Sequence, residues 1–464
     1  MPVRGFFAFG VLTNSWAVDT PRADPLTSAA QAKEANMSDL LWKLSQTTTQ
    51  ESPATLKKAE DALRVLKARK DLGFLRLTDR AELWTNSENR ARELRKSSHS
   101  LAVLGMGGSS LGGRALLQAL KKFNETHVVD FIDNVDSERF WLWLKSRTDL
   151  QERHWVIVSK SGNTIETLTM AEFADQHLRS SGFKKISANS TAISELDDNP
   201  LMRWARKEGV PSLEIPKDVG GRFSILSPVG LLPAAFYGLD LDAIKEGALW
   251  ALTQDELISR LAAQSLASFD RKEWITLFWA YADGLREFGL WTQQLWAESL
   301  GKAKNRQGGE APRASTPIPA IGSSDQHSIH QQVMEGARDK FVWFFRVEES
   351  EGLAVGGSSD AKADNRHDTR LEKNLFDCQG LMNGKTMGQL FSAMASATRS
   401  ALEEQKVQSL TLTAQRLDEK SMGALFMMLE LVVGTIGEAM DINAFDQPGV
   451  ELGKRLARGI LTDK

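Results

Sequence analysis

The sequence predicts an α/β protein built on two parallel sheets, each covered by helices. Three observations lead there. Short apolar runs that end in glycine- or hydroxyl-rich loops recur along the first half, helical periodicities stand between them, and the alternation restarts after a long, largely helical stretch, Asp240 to Asp270. Strands that alternate with helices pack as parallel sheets, because the crossover helix returns the chain to the same edge. At 464 residues the chain is longer than one ordinary core allows, which fits two such units.

In the first unit, Leu101 to Leu104 (LAVL) runs into glycines and then into Arg114 to Phe123 (RALLQALKKF), whose leucines recur at helical spacing. Val128 to Ile132, Trp155 to Val158 and Ile186 to Ala188 repeat the strand signal, and Ile165 to Arg179 reads as a helix. Asn199-Pro200 opens another helix and Gly209 closes it, since proline suits a first turn and glycine a left-handed C-terminal position. Ser212 to Ile215 is the last strand of this unit. In the second unit Trp274 to Tyr281 (WITLFWAY), Lys340 to Val347 (KFVWFFRV) and Ser409 to Leu412 read as strands, with helices over Leu285 to Leu300 and Met422 to Ala439. Arg306 to Pro319 reads as a loop and Glu348 to Asn374 as an exposed excursion. The N-terminal residues carry little pattern.

Composition excludes several classes of function. With 57 basic and 60 acidic side chains and no basic stripe interleaved with aromatics, nucleic acid is not an expected partner. The single cysteine, Cys378, excludes an intrachain disulfide framework and any zinc site made of cysteine pairs, and it fits a reducing, cytoplasmic setting. The apolar run Gly5 to Leu12 after Arg4 is short for a signal peptide and is broken by glycines. No segment is expected to approach the roughly 20 apolar residues that span a bilayer, so no membrane is expected either.

Several stretches carry candidate chemistry. The loop Gly105 to Gly113 reads GMGGSSLGG; Gly107 and Gly112 have P-loop spacing, but Gly113-Arg114 stand where lysine and a hydroxyl are required. The dinucleotide fingerprint fails as well, because Gly105-x-Gly107-x-x ends in Ser110. What remains is a short loop at a helix N-terminus, where free N–H groups and the positive dipole end either bind a phosphate or are simply capped. SKSGNT, from Ser159 to Thr164, offers the same choice after another strand. Two such loops at the carboxyl ends of parallel strands can share one crevice.

DVGGRF (Asp218 to Phe223) sets Arg222 behind two glycines, as a surface turn or as a fixed cationic fork for an oxyanion. Glu298, in WAESLGK, lies near the end of an amphipathic helix with Gln294 one turn earlier on the same face, and matters chemically only if it faces the crevice. QHSIHQ (Gln326 to Gln331) contains two of the seven histidines, and no cysteine or carboxylate cluster completes a metal set around them. An acid–base histidine at a helix start and a structural histidine both remain open. FDQPGVELGK (Phe445 to Lys454) reads, from physics alone, as an ordinary terminal helix.

GMGGSSLGG, SKSGNT, DVGGRFSILSPVGLLPA, ESLGK, GSSDQH and FDQPGVELGK, in this order from Gly105 to Lys454, together resemble the glucose-6-phosphate isomerase (phosphoglucose isomerase) family. The resemblance implies two doubly wound sugar-isomerase (SIS-type) α/β domains with a helical C-terminal extension. An arm over residues 1–60 would precede a first domain over 61–240, a second over 241–440 and a tail over 441–464 that completes the active site. It implies that Gly108, Ser109 and the loop Ser159, Lys160, Ser161, Gly162, Asn163 and Thr164 hold a sugar phosphate. It also implies that Glu298 is the base, His327 the ring-opening histidine, assisted by Lys454, and Arg222 the charge-stabilising arginine, with Gln294 and Gln447 on substrate-contacting positions.

The implied reaction opens the ring of glucose 6-phosphate, takes the proton from C2, passes through a cis-enediolate and returns a proton at C1, yielding fructose 6-phosphate without cofactor or metal. One carboxylate suspended over the enediolate reaches both carbons. The resemblance also implies a homodimer, usual in the family, in which the histidine comes from the neighbouring subunit. Ala297 and Ser323-Ser324-Asp325 depart from the family's usual residues without removing a needed group. The rival readings are an isomerase that also accepts mannose 6-phosphate and a non-catalytic sugar-phosphate-binding regulator, which would lack Glu298, His327 and Lys454.

Overall fold

The computed structural model describes residues 41–121, 126–351, 370–371 and 382–462. The run Gly5 to Leu12, Cys378 and most of the Glu348 to Asn374 excursion lie outside the described residues. The described chain begins with strand β1 (Lys43–Thr47) and helices α1 (Pro53–Ala68) and α2 (Ala81–Leu94). It then makes β2 (Ser100–Leu104), α3 (Leu111–Ala119), β3 (Val128–Ile132), α4 (Ser137–Ser146), β4 (His154–Val158), α5 (Ile165–Ser180), β5 (Ser190–Ser194), α6 (Pro200–Glu208) and β6 (Ser212–Glu214). Helices α7 (Pro228–Tyr237), α8 (Leu241–Leu252) and α9 (Asp255–Asp270) lead to β7 (Ile275–Tyr281), α10 (Arg286–Leu300), β8 (Thr316–Ile321), α11 (His330–Glu335) and β9 (Lys340–Val347). The chain closes with α12 (Met387–Glu404), β10 (Gln408–Ala414), α13 (Glu419–Ala439) and α14 (Glu451–Thr462).

The first sheet has the order β3-β2-β4-β5-β6, and all its strands are parallel. Every residue of β2 and β4 is buried, as it must be for strands covered on both faces, and this is why they read as near-continuous apolar runs. The strand order reverses between β2 and β4, so the loops that follow these two strands diverge and leave a crevice. Local signals also hold: the Asn199 side chain accepts the Met202 N–H, Pro200 occupies the first turn of α6, and Gly209 ends it at φ +67°.

The second sheet has the order β1-β10-β9-β7-β8, parallel except for β1, which runs antiparallel to β10. Lys43–Thr47 is therefore an edge of the second sheet. Two expectations are corrected. Ile186–Asn189 is a 3₁₀ turn, and the strand is the next segment, Ser190–Ser194, whose small hydroxyl side chains are all buried between β4 and β6. The loop expected over Arg306 to Pro319 ends in the edge strand β8, which tolerates Pro317 and Pro319 because only one of its sides is paired, to β7.

Helix α13 forms the centre of the core; its side chains are buried without a break from Ser421 to Gly437, and it packs on α8, α1, α9 and α10. It is long and apolar enough to cross a membrane, contrary to the expectation that no segment is, yet 89% of its most apolar window is buried within the fold. The two sheets meet where α10 packs on α3, and there Arg114 pairs with Asp133 and, at 2.7 Å, with Glu287. This contact carries the C-terminal end of α10 towards the loops of the first sheet.

Candidate active site

The β2–α3 loop and the β4–α5 loop lie side by side at the carboxyl ends of neighbouring strands. Neither α3 nor α5 is capped by the side chain at its N-cap position. Thr164, at the N-cap of α5, has its N–H taken by Ser159 Oγ at 3.3 Å, while the Ser159 hydroxyl donates to Thr164 Oγ1 at 2.8 Å. Ser161 donates to Asn163 Oδ1 at 2.7 Å. Lys160 reaches the Lys217 carbonyl at 3.2 Å and Glu195 at 3.3 Å, which ties this loop to the segment leading into Asp218.

The first glycine loop is in contact with the rest of the site. A Cβ on Gly107, which sits at φ +54°, would stand 2.7 Å from Gln294 Nε2, and one on Gly108 would stand 2.3 Å from the Gly221 carbonyl oxygen and 2.8 Å from the Arg222 nitrogen. Side chains at these positions would push apart GMGGSS, GGR and α10, so the glycines are what allow the three segments to converge. Ser110 is turned inward to the Gly107 carbonyl at 3.2 Å and to Asp133 at 3.3 Å, leaving Ser109 at the mouth.

Arg222 is the hub of the site. Its side chain is 1% exposed, and all five of its N–H donors are engaged. Nε donates to Ser299 Oγ at 2.7 Å, Nη1 to Glu298 Oε2 at 3.2 Å and Gln447 Oε1 at 3.0 Å, and Nη2 to the carbonyls of Ala444 at 2.6 Å and Asp446 at 3.0 Å. Burial pushes its pKa down, while Glu298 and Asp446 hold it up, so the cation is retained by its partners. Below it Phe223 packs at a tilt against Phe74 and Phe445, with centroids at 4.8 and 5.3 Å, which seats the 443–447 turn on the core.

Glu298 lies one turn from the end of α10 with its side chain 30% exposed. Both carboxylate oxygens are held, Oε1 by Gln294 Nε2 at 3.0 Å and Oε2 by Arg222. The i, i+4 relation expected from sequence is thus a direct bond. Beyond α10, Lys302 reaches Asp446 Oδ1 at 2.9 Å and also bonds the Asp446 carbonyl. Ser299, Lys302 and Asp446 lie within motifs visible in the sequence, yet sequence reasoning assigns them nothing. Their importance lies in contacts between distant segments, 144 residues apart for Lys302 and Asp446.

The structure thus gathers Gly108, Arg222, Gln294, Glu298 and Gln447. His327 takes part in none of these contacts. It ends a 3₁₀ turn, Ser324–His327, after the carboxyl end of β8, is exposed, and makes no hydrogen bond or ion pair among the described residues. The helix start expected there comes at His330, whose ring meets Trp279 edge-on at 5.8 Å. Lys454 is exposed on α14. Among the described residues, no group of three or more His, Cys, Asp or Glu side chains is placed to hold a metal ion.

Comparison with known proteins matches residues 86–464 to the family model described as phosphoglucose isomerase. A glucose-6-phosphate isomerase from Carboxydothermus hydrogenoformans is 32% identical over 425 residues, covering 86% of this chain and 87% of the relative. One from Thermus thermophilus is 34% identical over 398 residues, covering 83% and 89%. Among solved structures, a hypothetical protein from Thermus thermophilus superposes with a TM-score of 0.77 at 31% identity, covering 88% of this chain and 97% of that one. A glucose-6-phosphate isomerase from Chlamydia trachomatis shares the fold at a TM-score of 0.69 and 24% identity, covering 88% and 79%. With four of its motifs, those bearing Gly108, Arg222, Glu298 and Gln447, gathered in one place and a family match over most of its length, the chain belongs to the phosphoglucose isomerase family.

Proposed function

We propose that Glu298 is the base through which this chain carries out its family's reaction, the reversible isomerisation of glucose 6-phosphate and fructose 6-phosphate. The observation that carries the assignment is a carboxylate held by Gln294 and Arg222 beside the glycine loop that Gly107 and Gly108 press against them. The phosphate takes the N–H groups and hydroxyls of Ser109 and of Ser159 to Thr164, and fixes the sugar so that C1 and C2 face Glu298. Glu298 removes the C2 proton and returns it at C1, and oxygen charge develops on the enediolate as it does so. Because all five Arg222 donors are in use, that charge is stabilised by the buried cation's field and by whichever donor exchanges its partner for substrate.

His327 of a second copy opens the ring, with Lys454 assisting, and Gln447 contacts the sugar. An exposed His327 without a partner among the described residues supports a shared site and a homodimer. Hydrogen moves within one molecule, so the reaction consumes no oxidant, reductant or cofactor. We place the divide between the domains near residue 240, and the protein in the cytoplasm without nucleic acid or membrane as partner, consistent with one cysteine and a net charge of −3.

A coupled assay on fructose 6-phosphate tests the reading. Turnover should survive a chelator and fall by about 10³-fold or more in Glu298→Gln, which keeps the shape and removes the base. Undiminished turnover in that variant would overturn the assignment.

A further inference from the structure

We propose that Lys302 is a positioning residue for the isomerisation, acting as a latch that fastens the 443–447 turn to the end of the helix bearing Glu298. The inference rests on the assignment of Glu298 and its neighbours as the active site. Lys302 lies two residues beyond α10, and its side chain is only 6% exposed although it carries a charge. Its Nζ meets Asp446 Oδ1 at 2.9 Å and also bonds the Asp446 carbonyl, the oxygen that Arg222 Nη2 meets at 3.0 Å. The other carboxylate oxygen of Asp446 takes Asn443 Nδ2 at 2.8 Å, so the turn is closed on itself and then tied to α10.

The next residue, Gln447, points back to the guanidinium that holds Glu298, at 3.0 Å. Lys302, Asp446, Gln447, Arg222 and Glu298 therefore form one chain of contacts whose ends are joined by the backbone from Glu298 to Lys302, and Lys302 makes no hydrogen bond or ion pair with Glu298 itself. Burying an ammonium is costly unless it is paired, and burial pushes its pKa down while Asp446 opposes that. A lysine that served only as surface charge would not be placed there. Through the latch the base and the start of α14, which bears Lys454, keep a fixed relation.

The test compares Lys302→Met, Lys302→Arg and Asp446→Asn with the parent, each also in a Gln447→Ala background, on fructose 6-phosphate. Lys302→Met should lower kcat by about 10- to 100-fold with KM changed by less than about threefold, the behaviour of a mispositioned base. Lys302→Arg should restore most of the loss. In the Gln447→Ala background the same substitution should cost less than about twofold, because residues that act as a unit are not additive. Trypsin should cut at Lys454 and Arg455 several-fold faster in Lys302→Met while the melting temperature holds; if that variant does not fold, Asp446→Asn, whose side chain is half exposed, carries the comparison. Normal kcat in both variants, or an equal loss with and without Gln447, overturns the latch. Normal latch variants beside a dead Glu298→Gln sink this inference alone, whereas an inactive parent sinks the proposed function and the latch together.

Discussion

Arg222 shows how far a single residue could be read in advance. An arginine behind two glycines is recognisable as an anion fork, but that all five donors are spent inside the protein follows only from contacts with residues 76 to 225 positions away. The donors hold Glu298, Ser299, Gln447 and two carbonyls at once, which makes the guanidinium first a clamp on the base. Lysine at this position offers three donors from a point and cannot match the planar fork. Arg222→Lys should therefore lower kcat by about 10²- to 10³-fold, a loss comparable to removing an oxyanion donor. It should also cost about 2–3 kcal/mol of stability, since buried carbonyls lose their partners. Steady-state kinetics and denaturant titration of the same variant measure both, and wild-type turnover would show the clamp to be dispensable. His327, by contrast, was legible as a candidate only, because one exposed ring on a one-turn helix has no partner among the described residues to define its task.

Elements with a strong local signal matched the sequence within a few residues, among them β9 over Lys340–Val347, a continuous apolar run, and α6, bounded by Pro200 and Gly209. Those that failed did so because burial there is supplied by neighbours. The strand Ser190–Ser194 is interior through its pairing with β4 and β6 while carrying three hydroxyl side chains, and β1 is specified by its ladder to a strand more than 360 residues away. Helix α13 poses a different question, because Glu430 in its middle is fully buried and neither carboxylate oxygen has a hydrogen-bond partner among the described residues. Burial raises its pKa well above the ordinary 4.5, so the folded chain holds the proton. Below that ordinary value both states are protonated; above it the unfolded chain ionises while the folded chain does not, so stability falls as pH rises, up to the folded pKa. Glu430→Gln removes this dependence. Its stability relative to the parent should grow with pH above the unfolded value, by about 1.4 kcal/mol per pH unit for as long as the folded carboxyl keeps its proton, read from urea midpoints across that rise. Parallel curves for the two proteins would mean that the parent's carboxyl finds a partner or ionises inside α13.

At the scale of the whole molecule, the two sheets contribute unequally to one site. The first supplies the glycine loop after β2, and the second brings α10 across α3 so that Gln294, the neighbour of Glu298, arrives beside it. The parallel sheets were legible because alternation forces them; the convergence was not, since nothing local records that Gly108 will press on Gly221 or Lys302 on Asp446. Within one copy the His327 side chain is exposed and makes no hydrogen bond or ion pair among the described residues, while Glu298, the proposed base, is held by Gln294 and Arg222. If the histidine of each copy serves the base of the other, inactive variants should complement one another. In a mixed dimer of Glu298→Gln and His327→Ala, one site collects both defects and the other collects neither. Random reassortment of equal amounts makes half the dimers mixed, so activity should return to about a quarter of the parent's, in step with dimer exchange. Were each site built within one copy, every site would keep one defect and mixing would restore nothing. Sedimentation of the mixture, read beside its turnover, separates that outcome from a failure of the chains to exchange.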